Sequence, residues 1–143
     1  MTPVEKFSAL FQQLPLVAIL RGLTPEEAPA VGDALVGAGF GILEVPLNSP
    51  RPLESIGLLA RQHPNTLVGA GTVLTAAQVR EVFAAGGPLI VAPTFSAEVV
   101  TEAVRPGMVC LPGIPTPTEA FGAMAAGAPG LKLFPAALAS PAP

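Results

Sequence analysis

Six short apolar runs recur along the 143-residue chain, each about as long as a β-strand and each bounded by Gly, Pro or polar turn residues. They cover residues 16–20, 42–47, 67–71, 89–92, 108–111 and 131–134. Strands that are apolar at nearly every position are typical of a parallel sheet with both faces covered. The pattern therefore predicts a buried parallel sheet.

Helix-start signals follow these runs at near-regular intervals. Ser or Thr stands at each candidate N-cap, often with Pro next or with Glu or Gln at the third helical position. The candidates are Thr24, Ser49, Thr75, Ser96, Thr116 and Ser140. The repeated unit is thus strand, loop and helix, which predicts an α/β fold. An open doubly wound sheet and a (β/α)8 barrel both fit this unit.

A few polar side chains interrupt the apolar runs in or just beyond the second half of a strand. Arg21, Glu44, Thr72 and Lys132 belong to four different predicted strands. In a barrel such positions converge on one axis, whereas in an open sheet the first and sixth strands could be far apart. Convergence favours the barrel. We expect residues 1–143 to form one domain, a (β/α)8 TIM barrel truncated to about six strands and five helices.

Lys132 is one of two lysines in the chain and lies within the apolar segment 130–135. Burial penalises an ammonium group and lowers its pKa, and the free amine can form a Schiff base with a carbonyl compound. A lysine paired with a carboxylate, or extending to solvent from a strand end, is the simpler alternative. Glu44, between Leu43 and Val45, could form a buried ion pair with Lys132 without any chemistry.

Taken together, these residues suit a keto-acid substrate, because they combine a lysine nucleophile, a carboxylate that moves protons and an arginine that binds an anion.

The charge and the uncharged runs of the chain bear on its partners and its location. A net charge of -3 argues against a nucleic acid or an anionic membrane as partner. Pro and Gly interrupt the uncharged runs, and the N-terminus lacks a secretory signal, which predicts a cytoplasmic protein.

The counts of metal-binding residues exclude a further class of site. One His, one Asp and one Cys argue against a transition-metal site. Cys110, in the apolar run 108–111, is predicted to be a buried and unreactive thiol.

Five segments together resemble the bacterial 2-keto-3-deoxy-6-phosphogluconate and -phosphogalactonate aldolases of the KDPG/KHG aldolase family. These segments are 17–22, 44–50, 69–73, 111–117 and 131–136. The resemblance implies a (β/α)8 barrel, a homotrimer, and class I aldolase chemistry that requires no metal or other cofactor. It also implies that Lys132 is the Schiff-base lysine and Glu44 the general acid/base.

The resemblance further implies that Arg21 and Thr72 hold the keto-acid carboxylate, with Pro93 and Phe134 lining the pocket. The gluconate branch usually carries Arg four residues after the Glu, where this chain has Asn48, as in the galactonate branch. The implied reaction is cleavage of 2-dehydro-3-deoxy-6-phosphogalactonate to pyruvate and glyceraldehyde 3-phosphate. Gluconate-branch or 4-hydroxy-2-oxoglutarate aldolase activity remains open, as does a barrel isomerase that would not need the lysine.

The repeat also predicts elements that the printed sequence does not contain. Eight units at this spacing need about 200 residues, the low end for such barrels. We therefore expect the seventh and eighth strands and their phosphate-binding loops to be missing, and the first and sixth strands to be exposed edges. An inactive truncated remnant, able at most to bind or associate, is the second functional hypothesis.

Overall fold

Residues 1–139 are described by a computed structural model, in which strands and helices alternate after an initial helix. The strands are β1 Ala18–Ile19, β2 Ile42–Pro46, β3 Leu67–Gly71, β4 Leu89–Val91, β5 Val109–Leu111, β6 Gly113–Ile114 and β7 Lys132–Leu133. All six predicted strands are confirmed, and the fifth is interrupted at Pro112 and continues as β6. The candidate helix start at Ser140 lies outside the described residues.

Within residues 1–139, six α-helices of 8 to 11 residues accompany the strands. They are α1 Pro3–Gln13, α2 Ala28–Gly37, α3 Pro52–Gln62, α4 Ala76–Ala84, α5 Ala97–Val104 and α6 Pro117–Ala125. The five predicted helices correspond to α2 to α6, because α1 precedes the first strand. Within residues 1–139 none of the helices has the length and apolar character needed to cross a membrane.

The strand order distinguishes the two candidate architectures. Strands β1 to β5 are neighbours in sequential order and all pair in parallel, and β6 pairs in parallel with β7. A doubly wound sheet reverses its strand order at a switch point, and this order contains no reversal. Right-handed crossovers in a sequential sheet place every helix on the same side, which is the arrangement of a (β/α)8 barrel.

The two faces of the sheet have different partners. The outer face packs against α2 to α5 and contributes alternate side chains to the larger core, among them Leu43, Val45, Val68 and Ile90. The inner face carries a smaller cluster, with Ile42, Leu67, Leu89, Val91 and Val109 packed against Phe7 and Leu10 of α1. Each fully buried aliphatic side chain contributes about 1.5–3 kcal/mol. Because Leu43 and Val45 belong to the larger core, Glu44 between them lies on the inner face.

Two predicted helix starts are confirmed by their side-chain hydrogen bonds. Thr75 Oγ1 accepts from Gln78 N at 3.2 Å, and Ser96 Oγ accepts from Val99 N at 3.4 Å. The start predicted at Thr24 is wrong by three residues: α2 begins at Ala28, after a turn in which the Glu27 carboxylate accepts from Thr24.

The helix start predicted at Ser49 is also wrong. Helix α3 begins at Pro52, and its N-cap is Arg51, which has a left-handed φ of 43° and no side-chain capping bond. The reason is that the Ser49 hydroxyl is engaged elsewhere, since it accepts a hydrogen bond from Gly22 N. The local Ser-Pro pattern correctly marks Ser49 as an acceptor of a backbone hydrogen bond, but the donor is Gly22 N and not an N–H of the helix.

The inner side of the sheet is open between β1 and β7. Among residues 1–139, β1 pairs with β2 alone and β7 with β6 alone. Ile19 is 52% exposed and Leu133 is 51% exposed. The expected apolar edge strands are therefore present, and they flank the cavity described next.

Candidate active site

Glu44 and Lys132 line the same cavity, of about 340 Å³, on the inner side of the sheet. Glu44 is 3% exposed, whereas Lys132 is half-buried. The other lining residues are Phe7, Phe11, Val17, Ile19, Val91, Leu111, Gly130 and Leu131. The two charges that interrupt the second and sixth apolar runs are thus brought together in an otherwise apolar environment.

The Glu44 carboxyl group is buried without a hydrogen-bond partner among residues 1–139, and this changes its pKa. Its Oε2 is buried and has no hydrogen-bond partner among residues 1–139. Burial raises the pKa of Glu44 above its usual value, and the positive charges of Lys132 and Arg21 oppose that rise only in part. A carboxyl with a raised pKa exchanges protons closer to neutral pH, which suits a general acid/base.

Gly71 gives the Glu44 carboxyl its space. A Cβ built on Gly71 would lie 2.5 Å from Glu44 Cδ and closer still to Oε2, well inside ordinary van der Waals contact at 3.4 Å. A Cβ on Gly69 would instead lie 2.6 Å from the backbone carbon of Leu89. Each of these glycines therefore accommodates a different neighbour, Gly71 the Glu44 carboxyl and Gly69 the backbone of Leu89.

Lys132 extends from the short strand β7, where its N–H donates to Pro112 O at 2.9 Å. Its Nζ lies 4.8 Å from the centroid of the Phe134 ring, a cation–π contact. The expectation of a fully buried strand is wrong for the described residues. Within them β7 has a single neighbouring strand, so Lys132 is only half-buried.

Two further predicted residues, Pro93 and Phe134, line a second cavity of about 360 Å³. Its other lining residues are Thr94, Phe95, Gly113, Pro115, Glu119 and Pro135. Because Phe134 also contacts Lys132, the second cavity adjoins the lysine at the carboxyl ends of β6 and β7.

The remaining predicted residues lie in loops at the same edge of the sheet. Arg21 is exposed and lines a shallow depression after β1 together with Gly22 and Glu27. Asn48 is exposed after β2, and Thr72 follows β3 with a left-handed φ of 55°. None of the three lines the cavity shared by Glu44 and Lys132.

Sequence analysis missed two groups of residues at this site. Phe7 and Phe11 of α1 line the cavity and stack on each other with ring centroids 5.5 Å apart. Their spacing of four residues signals one helix face but not what that face covers. The second omission is Ser49, which is 6% exposed and accepts from Gly22 N at 3.1 Å.

Cys110 lies outside this site. It packs in the outer core, and burial raises the pKa of its thiol to about 12. Among residues 1–139, no group of three or more His, Cys, Asp or Glu side chains is arranged to hold a metal ion. The chemistry available at the site is that of a lysine amine and a buried carboxyl.

Comparisons with known proteins agree on one family. The family model for KDPG and KHG aldolases matches residues 7–141. A probable 2-dehydro-3-deoxy-6-phosphogalactonate aldolase of Rhizobium meliloti (strain 1021) is 52% identical over 128 residues, which are 89% of this chain and 60% of that protein. The 2-dehydro-3-deoxy-6-phosphogalactonate aldolase of Escherichia coli (strain K12) is 47% identical over 130 residues, 90% of this chain and 63% of that protein.

A solved structure extends the likeness to the fold. The KDPG aldolase of Legionella pneumophila, with pyruvate captured at low pH as a covalent carbinolamine intermediate, superimposes with a TM-score of 0.84 at 29% identity. The match covers 96% of this chain and 65% of that one. The chain spans about 60% of the length of the curated relatives it matches. With the family model matching nearly all of its residues, the chain belongs to the KDPG and KHG aldolase family.

Proposed function

We propose that this site is that of a class I aldolase, which cleaves 2-dehydro-3-deoxy-6-phosphogalactonate to pyruvate and glyceraldehyde 3-phosphate. The observation that carries the proposal is the apolar cavity shared by the buried Glu44 carboxyl and the Lys132 amine. The names of the two relatives support the substrate. The carbinolamine in the Legionella enzyme supports covalent catalysis by an amine.

The first step joins substrate and enzyme. The nitrogen lone pair of the Lys132 amine attacks the C2 carbonyl carbon, and the resulting carbinolamine loses water to give an iminium ion. The Glu44 carboxyl donates the proton that the departing hydroxyl requires. The face of the Phe134 ring, 4.8 Å from Nζ, favours the positive charge of the iminium.

The second step breaks the C3–C4 bond. The iminium accepts the bonding electron pair and becomes an enamine, while the Glu44 carboxylate removes the proton of the C4 hydroxyl to form the aldehyde. Glu44 then returns a proton to C3, and water hydrolyses the iminium to release pyruvate and the free amine. The proton set free in this hydrolysis returns to the Glu44 carboxylate and restores the starting carboxyl group. One water is lost and one is consumed, so the net reaction is the cleavage alone.

The other residues serve substrate binding in this proposal. Arg21 and Thr72 hold the carboxylate next to C2, and Pro93 and Phe134 line the pocket on the far side of the lysine. Asn48 stands where the gluconate branch has an arginine, which favours the galactonate substrate over its epimer. A neutral amide there changes which hydroxyl arrangement the site accepts.

We also propose a cytoplasmic homotrimer. Support comes from large apolar side chains that remain exposed on α6, where Phe121 is 72% and Met124 is 59% exposed. Exposed apolar patches of this kind mark sites of association. Sedimentation of the purified chain gives its mass directly, and a clean monomer at all concentrations would remove the trimer.

The test of the activity uses the two lysines of the chain as a matched pair. Lys132→Arg keeps the positive charge but cannot form a Schiff base, so pyruvate release from the phosphogalactonate substrate should disappear. Lys6→Arg makes the same change at a lysine whose Nζ donates to Pro64 O and Thr66 O, and it should keep the activity.

Each outcome of that test points to a different conclusion. Release that persists in Lys132→Arg removes the Schiff-base mechanism. Equal rates with the galactonate and gluconate epimers would contradict the proposal that Asn48 selects the galactonate substrate. No release by the unaltered 143-residue chain favours the inactive remnant.

A further inference from the structure

We propose that Ser49 is a positioning residue that sets the direction of Arg21, through the hydrogen bond that Gly22 N–H donates to its hydroxyl. The two atoms are 3.1 Å apart and connect residues 27 positions apart in the sequence. Because Arg21 is the proposed ligand of the substrate carboxylate, the inference rests on the proposed function. It gives a role to a buried serine that takes no part in the proposed reaction steps.

The hydrogen bond between Gly22 and Ser49 lies just beyond the end of the pairing between β1 and β2. The ladder between β1 and β2 ends with Leu20 N, which donates to Glu44 O at 2.9 Å. Gly22 then takes a left-handed φ of 79° in a turn closed by Leu23 N and Leu20 O. Arg21 is thus held between two backbone N–H groups, of which one donates to β2 and the other to the turn that follows it.

Ser49 is itself firmly placed. Its side chain is among the few buried polar groups, and its N–H donates to Pro46 O at the end of β2, at 2.9 Å. The hydroxyl does not cap a helix, since α3 begins only after Arg51. Ser49 lies in the turn after β2, and its burial together with this backbone hydrogen bond holds the acceptor in place, as a productive site requires.

A second link joins the same two loops, and it is of a different kind. Arg51 pairs with Glu26, but both side chains are largely exposed. Exposed ion pairs are screened by salt and contribute little. The direction of Arg21 also matters beyond substrate binding, because its charge lowers the pKa of Glu44 against the effect of burial.

The test compares Ser49→Ala with Ser55→Ala. Ser55 is fully buried on α3, and its Oγ has no hydrogen-bond partner among residues 1–139, so it controls for loss of a buried hydroxyl. Borohydride trapping of pyruvate on Lys132 is measured against pyruvate concentration. Ser49→Ala should raise the half-saturating concentration about fivefold without lowering the maximal yield, as expected for one lost hydrogen bond.

Three comparisons make the result specific. Ser55→Ala should leave the half-saturating concentration unchanged, and Ser49→Thr, which keeps the acceptor oxygen, should restore it. In an Arg21→Ala background the Ser49→Ala change should have no further effect, because Ser49 acts through Arg21. An equal rise for Ser49→Ala in both backgrounds overturns the inference.

Amide hydrogen exchange separates this inference from the proposed function. Exchange at Gly22 N–H should be faster in Ser49→Ala than in Ser55→Ala, whether or not pyruvate is trapped. Unchanged exchange at Gly22 overturns the role of Ser49 alone. Absence of trapping in the unaltered chain overturns the proposed function, and with it the link from Ser49 to substrate binding.

Discussion

Replacing Gly71 with alanine should impair proton transfer while leaving the Schiff base and the fold in place. The new Cβ would lie 2.5 Å from Glu44 Cδ and closer still to Oε2, where ordinary contact begins at 3.4 Å, so Cδ must move by about 1 Å and Oε2 by more. A displacement of about 1 Å can cost about 100-fold in rate. The obstructing atoms are the end of a side chain, so the effect on folding should stay near 1 kcal/mol.

Two assays separate proton transfer at Glu44 from iminium formation at Lys132. Exchange of pyruvate methyl protons for deuterium, followed by proton NMR, requires both the iminium at Lys132 and a base at Glu44. Borohydride trapping after long incubation with pyruvate requires only the iminium, because the proton that Glu44 donates changes how fast the iminium forms and not how much is present at equilibrium. Gly71→Ala should therefore lose about 100-fold in exchange rate while its trapping yield changes little.

Gly69→Ala is the matched control on the same strand. Its Cβ would meet backbone atoms of Leu89, which cannot rotate away, so we expect destabilisation of about 1–3 kcal/mol or more in urea unfolding. The reasoning fails if Gly71→Ala exchanges protons at the unaltered rate. It also fails if Gly71→Ala slows exchange equally in a Glu44→Gln background, because the two residues are expected to act as a unit.

Two further predictions concern titratable groups. The folded-state pKa of Glu44 is raised above the usual 4.5, so its contribution to stability is lost as pH rises from that value through the folded pKa. Glu44→Gln should therefore become more stable than the unaltered chain as pH rises, and the two should be equally stable below about pH 4. The free energy of unfolding is measured in urea by far-ultraviolet circular dichroism. A difference in unfolding free energy that stays constant with pH would contradict the raised pKa. Because the Cys110 thiol has a pKa of about 12, a thiol reagent at pH 8 should modify it only after unfolding, and rapid modification of the folded chain would contradict its burial.

The sequence predicted the repeat well because parallel strands and helix caps leave local signals. Glu44 was expected to converge on the barrel axis, and it lies on the inner side, opposite Leu43 and Val45. The burial of Lys132 was overestimated, because an apolar run does not reveal how many strands will flank it. Its half-buried position follows from pairing with β6 alone among the described residues.

Long-range contacts account for the other differences. Ser49 followed by Pro50 has the local pattern of a helix cap, but its hydroxyl is taken by Gly22, 27 residues earlier in the chain. Nothing local to either residue signals that pairing. Phe7 and Phe11 similarly reveal an apolar helix face, whereas their place against the cavity depends on how α1 packs under the sheet.

The most direct test of the account is the mass spectrum of the chain after treatment with pyruvate and borohydride. The account predicts one reduced pyruvate per chain, on the peptide that contains Lys132, and its complete loss in Lys132→Arg with retention in Lys6→Arg. An absent adduct, or one carried by Lys6 and kept in Lys132→Arg, would contradict the central claim.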